Sequence, residues 1–209
     1  SAKGWHDWKK EDGEIVLDEA WYSGYHGDFD FTLGRHVISW GTADGINPTN
    51  YFTRLNSSAL LSGDFSGEPT WAGQATYYGR DFAITGVIVP VFAPQKVDAL
   101  MREALLAQGL QGAMLLDTID GTKKPTGFGR NSEWALRVER DLAGFDIQAS
   151  LFSGYEPLPG MEMVIMLDPS DPVNGVPTPL GLDGTYRRQC FVGLAGTGTI
   201  GPAGVWGEL

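Results

Sequence analysis

Apolar residues in this chain recur at every second position, and the segments that do so are joined by connections alternating between short and long. Along Trp134-Ala-Leu136-Arg137-Val138-Glu139, one side carries Trp134, Leu136 and Val138 while the other carries Arg137 and Glu139. That is the period of an extended strand. After the polar stretch Asp141-Leu-Ala-Gly144, Phe145, Ile147, Ala149 and Leu151 stand opposite Asp146, Gln148 and Ser150, so the pair predicts a hairpin. Further hairpins are expected over 14–40, turning near His26-Gly27-Asp28, over 71–92, turning at Gly79-Arg80-Asp81, and from Tyr186 to the end, turning near Gly201-Pro202. In the first, Phe29, Phe31 and Leu33 alternate with Asp28, Asp30 and Thr32, and the apolar parity changes before Ile38 and Trp40, which predicts a bulge near Gly34.

The connections between hairpins, residues 42–70, 93–133 and 156–185, are long and rich in Gly, Pro, Asn, Asp and Ser. Loops of that length without their own structure are uncommon in compact soluble domains. Short turns at one end and long loops at the other are the arrangement of antiparallel up-and-down transmembrane β-barrels. Aromatic residues bracket the long connections: Trp40 and Trp71 the first, Phe92 and Trp134 the second, Tyr155 and Tyr186 the third. Others, including Tyr25, Phe29, Tyr77, Phe82 and Phe145, lie at the short turns. Two such rows, separated by strands of about 9–11 residues, suit the aromatic girdles at the faces of a bilayer. One segment differs. Across 95–108, Val97, Leu100, Met101, Ala104 and Leu105 share a helical face, so a short amphipathic helix is expected within the second long loop.

The reading is therefore all-β, about eight strands forming an antiparallel up-and-down transmembrane barrel, with 1–209 a single barrel domain or part of one. Composition agrees. Only 42% of the 209 residues are hydrophobic and 29 are glycine. Alternation reconciles this with a membrane setting, because only every second strand residue must face lipid. The 26 acidic against 15 basic residues argue against nucleic-acid binding, which depends on clustered cations. The single Cys190 excludes a disulfide framework and cysteine-rich zinc sites.

If the apolar strand faces meet lipid, Asp28, Asp30, Arg137, Glu139, Asp146 and Gln148 line the interior as pore-lining candidates; in a soluble sandwich they form the wet face. Arg35, Asp44, Asn47 and Asn50 are placed to hold the first long loop against the wall, since such side chains bond turn backbone readily. Asp168, Asp171 and Asn174 offer oxygen ligands at short spacing, as does the loop from Asp117 to Asp120, and these are the weak calcium candidates. His6, His26 and His36 lack metal-ligand spacing, and no nucleophile, phosphate-loop or dinucleotide motif is present, so no catalytic residue and no cofactor are expected.

The stretch Leu33-Gly34-Arg35-His36-Val37-Ile38-Ser39-Trp40-Gly41-Thr42-Ala43-Asp44-Gly45-Ile46-Asn47-Pro48-Thr49-Asn50 resembles a family of porin-like Gram-negative outer-membrane barrels, largely uncharacterised. There a strand reading Gly-Arg-Gln-x-x-x-Trp-Gly leads into Ala-Asp-x-x-Asn-Pro-Thr-Asp. His36 stands here where Gln is usual, and Asn50 where Asp is usual. The segment from Tyr186 to Leu209 is similar to later strands of such proteins, less specifically, and close resemblance covers about a quarter of the chain. The resemblance implies a bacterial outer-membrane channel for passive or facilitated diffusion of small, including hydrophobic, molecules, with lipid and a small-molecule permeant as partners. Members are longer. Ser1–Lys10 does not read as a signal peptide and Leu209 ends mid-strand without a terminal aromatic, so two expectations stand: eight strands closing into a small barrel, or a fragment whose sheet further copies or a partner chain complete. Two other classes stay open: a soluble or cell-surface all-β ligand-binding or carbohydrate-binding module, using loop aromatics such as Trp71 and Trp134, and a structural subunit of a surface assembly.

Overall fold

A computed structural model describes residues 2–7, 12–38, 40, 51–52, 54, 67–166 and 178–209. Its centre is an eight-stranded antiparallel sheet: β3 (Ala20–His26), β4 (Phe29–His36), β5 (Thr70–Tyr78), β6 (Ala83–Val89), β7 (Glu133–Leu142), β8 (Phe145–Tyr155), β11 (Arg188–Ile200) and β12 (Ala203–Glu208), neighbours in that order. Among the described residues two hairpins pair only within themselves, β1 (Ala2–Asp7) with β2 (Asp12–Leu17), and β9 (Gly160–Met166) with β10 (Thr178–Thr185). Glu14, expected to open the first sheet hairpin, belongs instead to β2.

All four turns between the paired strands of this sheet fall at one end and are tight, at Gly27-Asp28, 79–82, Ala143-Gly144 and Gly201-Pro202. Ala143 and Gly144 both have positive φ, the backbone that a two-residue hairpin turn requires. The three long connections all leave from the other end, so the expected asymmetry is present in space. The second carries two helices, α1 (Ala99–Leu106) and α2 (Leu110–Gly121). The expected helix over 95–108 starts later than its periodicity suggested, because the Asp98 side chain accepts from the Met101 amide and caps it at Ala99. The second helix gave no amphipathic signal. It overturns the cation reading of Asp117 and Asp120, which lie on α2 rather than in a loop, and Arg102 of α1 pairs with the Asp120 carboxylate at 3.0 Å.

No bulge interrupts β4. Its pairing with β3 and β5 runs without a register shift from Phe29 to Arg35. Gly34 is nevertheless needed as glycine, since its φ is +129° and a Cβ there would lie 2.3 Å from the Ala20 carbonyl oxygen. The apolar parity changes because the function of the side chains changes. Phe29, Phe31 and Leu33 point to one face of the sheet, whereas Ile38 and Trp40, beyond the strand end, are buried in the core that forms over the other.

The sheet has two unlike faces. Register places Leu33, Ile88, Trp134, Leu136, Val138, Ile147, Val192 and Leu194 on the first face, every one exposed, with Leu136 at 43% and Val192 at 75%. The opposite face carries Ala72, Val87, Val89, Ala135 and Phe152, all buried under Ile38, Trp40 and Phe52 from the first long connection. The core therefore lies between the sheet and its own inserted loop, while the larger apolar surface points outward. No pairing joins β3 to β12 among the described residues, so closure of the sheet into a barrel is not observed.

Candidate functional site

The inner face grades from apolar to polar along the strands. Nearest the long connections, Glu133 begins β7 and Val89 ends β6; next come Val87, Ala135 and Phe152; then Thr76, Thr85, Arg137 and Ser150; then Tyr78, Glu139 and Gln148; and last, beside the short turns, Asp141, Asp146 and Thr197. Of the pore-lining candidates, Asp30, Arg137, Glu139, Asp146 and Gln148 are brought to this one face. Asp28 is a turn residue whose carbonyl oxygen accepts the Tyr78 amide at 2.8 Å. Thr76 and Thr85, opposite one another and buried, satisfy each other at 3.0 Å.

Arg137 is the hinge between the two zones. Its guanidinium lies over the Trp40 ring at 4.7 Å and pairs with Glu139, two residues along the same strand face, at 3.1 Å. Trp40 is 1% exposed, so it serves as a cover over the inner face and not as part of an outer aromatic girdle. Phe92, 2% exposed, is likewise no girdle residue: it packs against Tyr155 and Tyr186, both at 5.2 Å, which ties those two rings to the loops. Trp71 and Trp134 do stand exposed on the outer face toward the long-connection end, and Phe29 and Tyr77, in ring contact at 4.9 Å, occupy the same face toward the short turns.

A second cluster ties the long connections to one another, and sequence spacing gave no sign of it. Arg54 donates from Nη2 to both carboxylate oxygens of Glu133, at 3.3 and 3.2 Å, across 79 residues, and from Nε to the Ala93 carbonyl at 3.2 Å. Glu133 also accepts the Tyr155 amide at 3.0 Å. The first and second connections and the ends of β7 and β8 thus meet at one buried ion pair. Burial depresses the Arg54 pKa from its ordinary value, and the Glu133 carboxylate opposes that shift by attraction and hydrogen bonding. Beside it, Tyr51 stacks on Phe152 at 5.1 Å and Phe191 at 5.4 Å, seating the inserted loop on β8 and β11. The signal available in sequence was the parity of Glu133, which shares the face of Arg137 and Glu139; its partner could not be found from spacing.

Of the loop-anchoring candidates, Arg35 donates to the Asp18 carbonyl at 2.8 Å, which fastens the approach to β3. Asp44, Asn47 and Asn50 lie outside the described residues, as do Asp168, Asp171 and Asn174. Among the described residues no group of three or more His, Cys, Asp or Glu is arranged to hold a metal. His36 is buried, its Nδ1 near the Gly34 carbonyl at 3.2 Å.

No protein-family model, no curated protein and no solved structure matches the chain. Beside the short turns lies a cavity of about 630 Å³, lined mainly by the inner-face residues Tyr78, Glu139, Asp141, Asp146, Gln148 and Thr197 and at its margin by Arg140 and Ile147 of the outer face. Gln148 is 4% exposed, and among the described residues its Nε2 has no hydrogen-bond partner, nor have the buried Nε of Arg137 and Nε1 of Trp40. Unpaired donors in a buried setting are costly, and of these three Gln148 lines the cavity, while Arg137 and Trp40 lie deeper on the inner face.

Proposed function

We propose that the eight-stranded sheet is wall material of a porin-like bacterial outer-membrane β-barrel, which passes small molecules by passive or facilitated diffusion and performs no chemistry on them. The observation that carries this reading is the pairing of two unlike faces: large aliphatic side chains stand exposed over the outer face, while the inner face, apolar under the inserted loop, carries charged and hydrogen-bonding side chains toward the short turns. A soluble sheet buries its apolar face and wets its polar one, and a continuous exposed apolar surface marks lipid or partner contact. The gathering of long connections at one end and tight turns at the other supports the same assignment. Strand length agrees for β5, β7 and β8, with 9, 10 and 11 residues against the about 9–11 needed to cross a bilayer, whereas β3, β4, β6 and β12 are shorter, with 7, 8, 7 and 6.

Lipid cannot satisfy the backbone of a free sheet edge, so in a membrane β3 and β12 pair with further strands, from copies of this chain or from a partner. The inserted segment around Trp40 and Phe52 narrows the inner side at the long-connection end, which favours a selective passage over a wide aqueous pore. A second reading, an all-β binding module outside the membrane, draws on the open edges and on the Tyr51, Phe152 and Phe191 stack.

Conductance across a planar lipid bilayer separates the two. Protein refolded from detergent is expected to give discrete current steps, together with heat-modifiable gel mobility. Absence of conductance from a chain that is monodisperse and monomeric without detergent would count for the binding module.

A further inference from the structure

Within the inner cavity two carboxylates face one another without compensation. Asp141 of β7 and Asp146 of β8 are direct cross-strand partners, an arrangement that repels and destabilises a sheet. Neither forms an ion pair among the described residues, because Arg137 is taken by Glu139, and the lining as a whole sets Arg80 and Arg140 against four carboxylates. One step deeper, Gln148 is held 4% exposed with its Nε2 donor unpartnered and lining the same cavity. The two features call for opposite groups, a cation at the aspartate pair and an acceptor at the amide. Along β8 they are two residues apart, about 7 Å. A single small molecule that spans both features carries an ammonium at one end and an acceptor at the other.

We propose that this cavity is a binding site for small zwitterionic amino compounds, whose ammonium group sits between Asp141 and Asp146 and whose carboxylate accepts from Gln148. The inference rests on the proposed passage function in taking the inner face as the solute side, and it names the solute class. Thr197, beside Asp146 on β11, adds a hydroxyl at the ammonium end. The unused Nε donor of Arg137, diagonal to Gln148 on the inner face, lies toward the carboxylate end.

The test is calorimetric titration of the detergent-solubilised protein with 4-aminobutyrate, butylammonium and butyrate. 4-Aminobutyrate is expected to bind tightest, butylammonium about tenfold more weakly for loss of one charge-assisted hydrogen bond, and butyrate not at all. Asp146→Asn should weaken both amines by about tenfold or more. The same substitution should leave the thermal midpoint unchanged or raised, since it relieves the repulsion with Asp141, and a merely structural role for Asp146 would not produce that pairing of effects. Gln148→Met should remove the preference for 4-aminobutyrate over butylammonium. Equal binding of butyrate, or no binding of either amine, overturns the site, as does an Asp146→Asn protein that binds as well as the parent. A bilayer that conducts while the titrations stay flat removes this site and leaves passage standing; saturable binding without conductance does the reverse.

Discussion

Replacing Glu133 by Gln is expected to cost about 3–5 kcal/mol of unfolding free energy, the largest loss for any single side chain described here. The carboxylate is 1% exposed and accepts from the Arg54 guanidinium and the Tyr155 amide. Glutamine keeps the shape and can still accept from Tyr155, yet it leaves the Arg54 charge buried at 7% exposure with no counter-charge at hydrogen-bond distance. Arg54→Met should cost a similar amount for the mirrored reason. The double replacement should recover most of the loss, because two neutral groups of similar volume need no desolvated charge. Urea unfolding of all four proteins in detergent micelles measures the coupling directly. Limited proteolysis should show new cleavage in the first and second long connections for each single variant, since both lose their common attachment at Arg54.

Leu136→Arg carries the next largest effect, about 2–4 kcal/mol if the residue sits near the middle of a bilayer. Leu136 stands 43% exposed on the outer face at the centre of β7, between Gly86 on β6 and Leu151 on β8. In water, exchanging a half-exposed leucine for arginine on a wet sheet face is usually within about 0.5 kcal/mol of neutral. The same substitution therefore reports the solvent on that face. Unfolding measured in liposomes should show the full loss. Arg140 lies on the same outer face of β7 at its short-turn end, where under the proposed function a long cationic side chain would reach the interface.

The strand hairpins were legible because each strand meets two different environments, and alternation writes that difference into residue order. Turn chemistry fixed their ends, as at Ala143-Gly144 and Gly201-Pro202, where the chain must reverse in two residues. The inner-face set was legible for the same reason, since parity alone puts Arg137, Glu139, Asp146 and Gln148 together. What parity cannot carry is contact across long sequence separation. Arg54 reaches Glu133, and Trp40 reaches Arg137, through a loop whose path depends on the finished sheet. That is also why Trp40 and Phe92 were misplaced: an aromatic at a strand end can turn outward to an interface or inward to a core, and residue order is the same in both cases. Helix α2 escaped because its apolar residues, among them Leu110, Met114, Leu115 and Leu116, do not fall on one clean stripe.

Cysteine labelling tests the inverted sheet most directly. With the exposed native Cys190 replaced by Ser, single cysteines are placed at Leu136, Val138 and Ile147 on the outer face, and at Glu139, Asp146 and Thr197 on the inner one. The protein is reconstituted in liposomes and exposed to a charged, membrane-impermeant maleimide. The account predicts that the inner three react and the outer three stay unmodified until detergent is added. Rapid labelling of Leu136→Cys and Val138→Cys in intact liposomes, at the rate of Asp146→Cys, would contradict it.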